Sequence, residues 1–98
     1  MALEATHWNV QDDLQTREEC ALFIESVLEE APDDPAFIIA ALNEVARAHG
    51  MTKLVSEVGI SREGLYKALS EEGNPSFGTV VKVLSALGLR LHVEPQTA

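Results

Sequence analysis

The side chains best equipped for chemistry lie in one short run, Ser61-Arg62-Glu63-Gly64-Leu65-Tyr66-Lys67. Arg62 carries a flat fork of N–H donors, the geometry that bonds the O6 and N7 of a guanine together. Glu63 has two readings. It accepts from cytosine N4, or it completes the first turn of a helix and favours the helix dipole. Lys67 is four residues on and shares a helix face with Glu63; it reaches phosphate or base, or pairs with Glu63. Ser61 serves first as a helix cap and second as a phosphate contact. Tyr66 either lays its hydroxyl on a sugar-phosphate backbone or packs half-buried. These groups recognise rather than react: Arg62, Glu63 and Lys67 are candidate base contacts on double-stranded DNA.

The elements that must position them are legible in residues 51–69, MTKLVSEVGISREGLYKAL. Thr52-Lys53 opens a first short helix, with Leu54, Val55 and Val58 turned inward. Gly59 ends it, because a left-handed residue is cheapest without a Cβ. Ile60 follows as an apolar plug, and Ser61 caps a second helix with Leu65, Ala68 and Leu69 inward. Ser61, Arg62, Glu63, Tyr66 and Lys67 stay outside. That is a helix-turn-helix layout over about 51–70, whose second helix presents its N-terminal end to the major groove. Thr52 and Lys53 suit a phosphate at a helix N-terminus. Asn74, Ser76 and Thr79 serve the same purpose on the other side of the groove, or act only as turn and cap. Gly64 is the odd feature, since a helical glycine costs about 1 kcal/mol relative to alanine. It either allows close approach to the DNA backbone or has no role.

Around this motif the chain predicts three further helices. Thr16 and Glu19 form a capping-box sequence before Cys20, Phe23, Ile24, Val27 and Leu28, a helix running to about Glu30. Cys20 lies on its apolar face as a buried thiol. Asp34 caps the next helix, with Pro35 in its first turn and Phe37, Ile38, Ala41, Leu42, Val45 and Ala46 as a continuous apolar stripe. Gly50 stops it. The motif's second helix should end near Glu71 or Glu72. After the turn at Gly73-Asn74-Pro75-Ser76, Ser76 caps a fifth helix through Val80, Val83, Leu84 and Leu87, stopped by Gly88. Residues 1–15 form an N-terminal arm that Trp8, Val10 and Leu14 either pin to the body or leave mobile. Residues 16–98 make one domain.

Leu89, Leu91 and Val93 then alternate with Arg90, His92 and Glu94. That period of two predicts a short C-terminal β-strand over about 89–94. A lone strand needs a partner, and a second copy across a two-fold axis is the simplest one. The expectation is a homodimer with Leu89, Leu91 and Val93 at the interface; an extended tail on its own helices is the alternative.

The net charge of −9 opposes DNA binding until its distribution is seen. Residues 1–50 hold 11 acidic residues against 2 arginines, while residues 51–98 hold 5 basic residues against 5 glutamates. All the excess negative charge therefore lies outside the candidate DNA-reading half, where Lys53, Arg62, Lys67 and Lys82 can neutralise phosphate. The split implies two surfaces with two tasks, or simply a solvated acidic helix pair. The longest uncharged apolar run, Ala36 to Leu42, is too short to span a bilayer, and no secretory leader is evident. We expect a cytoplasmic protein without a membrane partner.

Nothing in the sequence predicts an enzyme. His7, His49 and His92 are far apart, and zinc-ligand spacing, phosphate loop and nucleophile elbow are all missing. Glu18-Glu19 and Glu29-Glu30 are adjacent pairs on helix ends. Catalytic residues, metal ligands and cofactors are expected to be none.

The run from Ala46 to Leu91 resembles the addiction-module antidote family, small HigA-like antitoxins with a Cro/repressor-type (XRE-like) helix-turn-helix. The resemblance rests on ARAHGM, SREGLYKAL, the GNPSF turn at Gly73 to Phe77, and TVVKVLSALGLRL, with a looser fit in DDPAFIIAAL at 33–42. It implies a mainly α, five-helix lambda-repressor-like domain. It also implies an antitoxin that neutralises a toxin encoded beside it, commonly a small basic RelE/HigB-like ribonuclease, and that binds its own promoter as a dimer. Carried over, Arg62, Glu63 and Lys67 are the base contacts and Thr52 and Lys53 the phosphate contacts. Three positions depart from the pattern. Val55 replaces a small residue where the two motif helices approach, Lys53 replaces a glutamine, and Gly64 sits in the recognition helix. The acidic first half is then complementary to a basic toxin. A second function class stays open, a protein-interaction module in which the helix-turn-helix is only a scaffold.

Overall fold

Side-chain caps start four of the five helices in the computed structural model, which describes residues 16–96. The expected N-terminal arm over 1–15 lies outside the described residues. Thr16 and Glu19 form a reciprocal capping box, each side chain taking the other's backbone N–H at 3.1 Å, and open α1 (Arg17–Glu30). Asp34 accepts from the Phe37 N–H and, with Pro35 at the first position, opens α2 (Pro35–His49). Ser61 and Ser76 cap α4 (Arg62–Ala68) and α5 (Phe77–Ala86) by accepting from Gly64 and Thr79. Only α3 (Met51–Val58) begins without a side-chain cap; Gly50 stands between it and α2. All the described regular structure is helical.

One core joins α2 to α5. Its four fully buried large side chains, Val45, Leu54, Leu65 and Val83, come one from each of these helices. Burying an aliphatic side chain of this size is worth about 1.5–3 kcal/mol. Helix α3 is the hub and packs on α2, α4 and α5, while α1 packs on α2. Cys20, Phe23 and Ile24 of α1 lie against the core only partly buried, so Cys20 is a half-buried thiol rather than a buried one. The α2 stripe is also narrower than its pattern. Ala41, Leu42, Val45 and Ala46 are buried, but Phe37, at the helix start beyond the reach of the core, is exposed.

Two predicted boundaries shift. Helix α4 ends at Ala68, not near Glu71, because the chain folds back there. Gly73 donates to the Ser70 carbonyl at 2.8 Å and lies so close to the Lys67 and Ala68 carbonyls that a Cβ would overlap them. The expected strand over 89–94 is not formed, and among the described residues there is no strand at all. Its first residue is used elsewhere. Gly88 turns left-handed (φ 79°), its N–H bonds the Ser85 carbonyl, and the Leu89 N–H reaches back to the Leu84 carbonyl at 2.8 Å. This is a Schellman cap, completed by Leu89 packing on the core. Leu91 and Val93 stay exposed with no ladder partner, so strand pairing no longer supports an interface at Leu89, Leu91 and Val93.

Candidate nucleic-acid interface

The predicted recognition residues fall at the junction of α3 and α4. Gly59 ends α3 in the left-handed region (φ 71°), and the chain passes through Ile60 to the Ser61 cap. This turn is short because Gly59 reverses the backbone at once and Ile60 packs against the core. Leu65, fully buried, fixes the rotation of α4. Ser61, Arg62, Glu63, Tyr66 and Lys67 are then all exposed, and Thr52 and Lys53 are exposed at the start of α3.

Within this face the structure brings Thr52 to the i,i+4 pair Arg62 and Tyr66, from which sequence spacing left it separate. The Arg62 guanidinium donates from Nη2 to the Thr52 hydroxyl at 2.7 Å, across ten residues and two helices. Its Nη1 donates to the Tyr66 hydroxyl at a long 3.4 Å, and its Cζ stands 5.8 Å from the Tyr66 ring centroid. A cation over an aromatic face at that range is attracted by the ring quadrupole. Tyr66, exposed, contacts the arginine from one turn along the same helix.

The remaining predicted contacts are placed less distinctively. Glu63 sits in the first turn of α4 and Lys67 in its last, and no ion pair joins them. Ser76 is occupied as a cap, and its Oγ lies 3.1 Å from the Thr79 hydroxyl. Asn74 is exposed in the preceding loop. Lys82 on α5 is exposed as well. Val55 is half-buried against the core, and α3 still packs on α4.

Gly64 acquires a reason that the sequence did not show. A Cβ there would stand 3.0 Å from the Ser61 Oγ and 3.2 Å from the Ile60 Cγ2. The glycine lets the cap and the plug of the turn close over the helix start. No sequence signal announced it, since the other three side-chain caps meet Glu19, Phe37 and Thr79, which all carry a Cβ.

Behind this face, His49 at the end of α2 and Glu57 of α3 lie 2.9 Å apart, Nε2 to Oε1. The contact ties the last turn of α2 to the helix that carries Thr52. Helix α1 shows Glu18, Leu22, Glu25 and Glu29 to solvent. These four positions share one stripe of the helix. Burial pushes the nearby Cys20 thiol pKa up, and the charge of Glu19 adds to the rise. Among the described residues, no three His, Cys, Asp or Glu side chains converge to hold a metal ion, and no helix is long and apolar enough to cross a membrane.

Comparison with known proteins adds what geometry alone does not. The sequence pattern of the family described as "Probable addiction module antidote protein" matches residues 4–95. A protein of Haemophilus influenzae, itself described as uncharacterized, is 43% identical over 94 residues, spanning 96% of this chain and 95% of its own length. No solved structure matches the chain.

Proposed function

This chain belongs to the family of probable addiction module antidote proteins, and on that premise we propose that it is the antitoxin of a type II toxin–antitoxin module. It reads its own promoter through a helix-turn-helix made by α3 and α4, as a lambda-repressor-like (HigA-like) domain. The observation that carries the DNA half is the arginine at the start of α4, exposed and held by Thr52 and Tyr66. Arginine is the residue best suited to bidentate guanine recognition. Lys53, Lys67 and Lys82, with Ser61, Ser76, Thr79 and Asn74, are the phosphate-facing set. We read the chain as a non-catalytic bacterial protein of the cytoplasm. It binds DNA as a dimer, since one short recognition helix covers too few base pairs for an operator.

The toxin half rests on the family and on charge. The partner is a basic protein, a ribonuclease toxin encoded beside the antitoxin, and the acidic residues 1–50 steer it. The exposed α1 stripe favours a second reading, in which toxin binding is the whole function and α3–α4 is a scaffold without an operator.

A promoter fusion separates the two readings. The upstream region of the gene is placed before a reporter, and the chain and its Arg62→Ala variant are supplied in trans. Repression by the chain and its loss in the variant are expected. Unchanged reporter output with the chain present, alongside rescue of growth from the neighbouring gene product, would leave the toxin-binding module alone.

A further inference from the structure

We propose that Thr52 is a positioning residue: its hydroxyl holds the Arg62 guanidinium for base reading instead of contacting phosphate on its own account. The inference rests on the DNA-reading proposal above. Arg62 is exposed, and an unheld exposed arginine spreads over many rotamers. Here a 2.7 Å bond reaches it from another helix, and two weaker contacts reach it from Tyr66. Threonine suits the task because its branched Cβ limits χ1 in a helix to two main rotamers, so the acceptor oxygen samples few positions. The guanidinium has five N–H groups. The bonds to Thr52 and Tyr66 use two of them, and reading guanine O6 and N7 needs two more. Holding and reading are therefore compatible in one side chain.

The bond also fixes the relation between the two helices at the point where DNA would meet them. Leu65 and Leu54 set α4 and α3 in the core. The Thr52–Arg62 bond repeats that relation at the surface, so the arginine follows the α3 start and not only its own flexible stem. A serine in place of Thr52 keeps the acceptor, whereas a valine keeps the shape and removes it.

The test uses the full chain and five forms: wild type, Thr52→Val, Thr52→Ser, Arg62→Ala and the Thr52→Val/Arg62→Ala double variant. Each is titrated against its own upstream duplex and against duplexes changed at one base pair. Thr52→Val should lose about tenfold in affinity, and lose it through discrimination at the base pair that Arg62→Ala also stops reading. Thr52→Ser should restore it, and in the Arg62→Ala background the valine should change little. A loss from Thr52→Val that is equal on every duplex and persists beside Arg62→Ala would make Thr52 a phosphate contact and overturn the proposal, as would no loss at all. The arginine side-chain NMR signals of the DNA-free protein give an independent arm. Arg62 should show slowed guanidinium rotation in the wild type and lose it in Thr52→Val; identical spectra would overturn the proposal without reference to DNA. A wild type that does not prefer its own duplex would end the DNA reading itself, and the NMR arm would still report whether the pair exists.

Discussion

Arg62 Nη2 donates to the Thr52 hydroxyl at 2.7 Å, and so the first exposed residue of α4 is tied to the first turn of α3. Sequence spacing assigned these two residues to different targets, one to a base and one to a phosphate. The fold makes them a single unit. On the proposed DNA-reading function, specificity would depend on how α3 and α4 are set against each other, through the fully buried Leu54 and Leu65.

Arg62→Ala separates recognition from stability. The side chain is exposed, so the melting temperature should move little. Affinity for a cognate duplex should fall by about 1–3 kcal/mol, with relaxed preference at one base pair. Calorimetric melting and competition binding check the two halves. Unfolding at a much lower temperature would make the arginine structural.

Gly73→Ala should destabilise the protein although the site is a surface turn. A Cβ there meets the carbonyl oxygens of Lys67 and Ala68, which are backbone and cannot rotate away. Crowding of this kind costs about 1–3 kcal/mol or more. A lowered urea midpoint is the readout. An unchanged midpoint would mean the turn opens at no expense and the end of α4 is not fixed there.

Ser61→Ala should cost about 1 kcal/mol, because it removes the only side-chain acceptor at the start of α4. Gly64→Ala should not return the roughly 1 kcal/mol that helix propensity promises, since the new methyl crowds Ser61 and Ile60. A Gly64→Ala variant stabilised by that full amount in urea unfolding would refute the packing account of this glycine.

Much of the fold was legible because caps are local. Thr16, Asp34, Ser61 and Ser76 are cap residue types standing just before helical apolar spacing, and Gly59 and Gly88 announce two helix ends. What failed was tertiary. The alternation of Leu89, Leu91 and Val93 is a true period of two, yet Leu89 was already engaged in capping α5. The end of α4 was misplaced because Gly73 closes over it, a contact that propensity does not encode. Phe37 continues the apolar stripe of α2 and lies exposed, since periodicity says which face is apolar but not how far the core extends. Of the site, the exposed face of α4 was legible from the spacing of Leu65, Ala68 and Leu69. The Thr52–Arg62–Tyr66 cluster was not, because it joins residues ten apart through the turn.

Cys20 should react slowly with thiol reagents. Burial chiefly, and Glu19 next, raise its thiol pKa, so the thiolate is scarcer in the folded protein than in the unfolded chain at the same pH. Alkylation at mildly alkaline pH should be slower in the native protein than in urea, and the gap should narrow as pH climbs through the raised pKa. Equal rates in both states would show the thiol fully open to solvent.

The most direct test of the central claim is an anisotropy titration of the protein with its own upstream duplex, beside a scrambled duplex of equal length, at two salt concentrations. An operator-reading antitoxin binds the native duplex at least about a thousandfold tighter than the scramble. Weak binding that is equal for both duplexes and falls steeply with salt would reflect phosphate contact alone. That result would contradict base reading by α4 and leave the acidic face, and the partner it attracts, as the function of the chain.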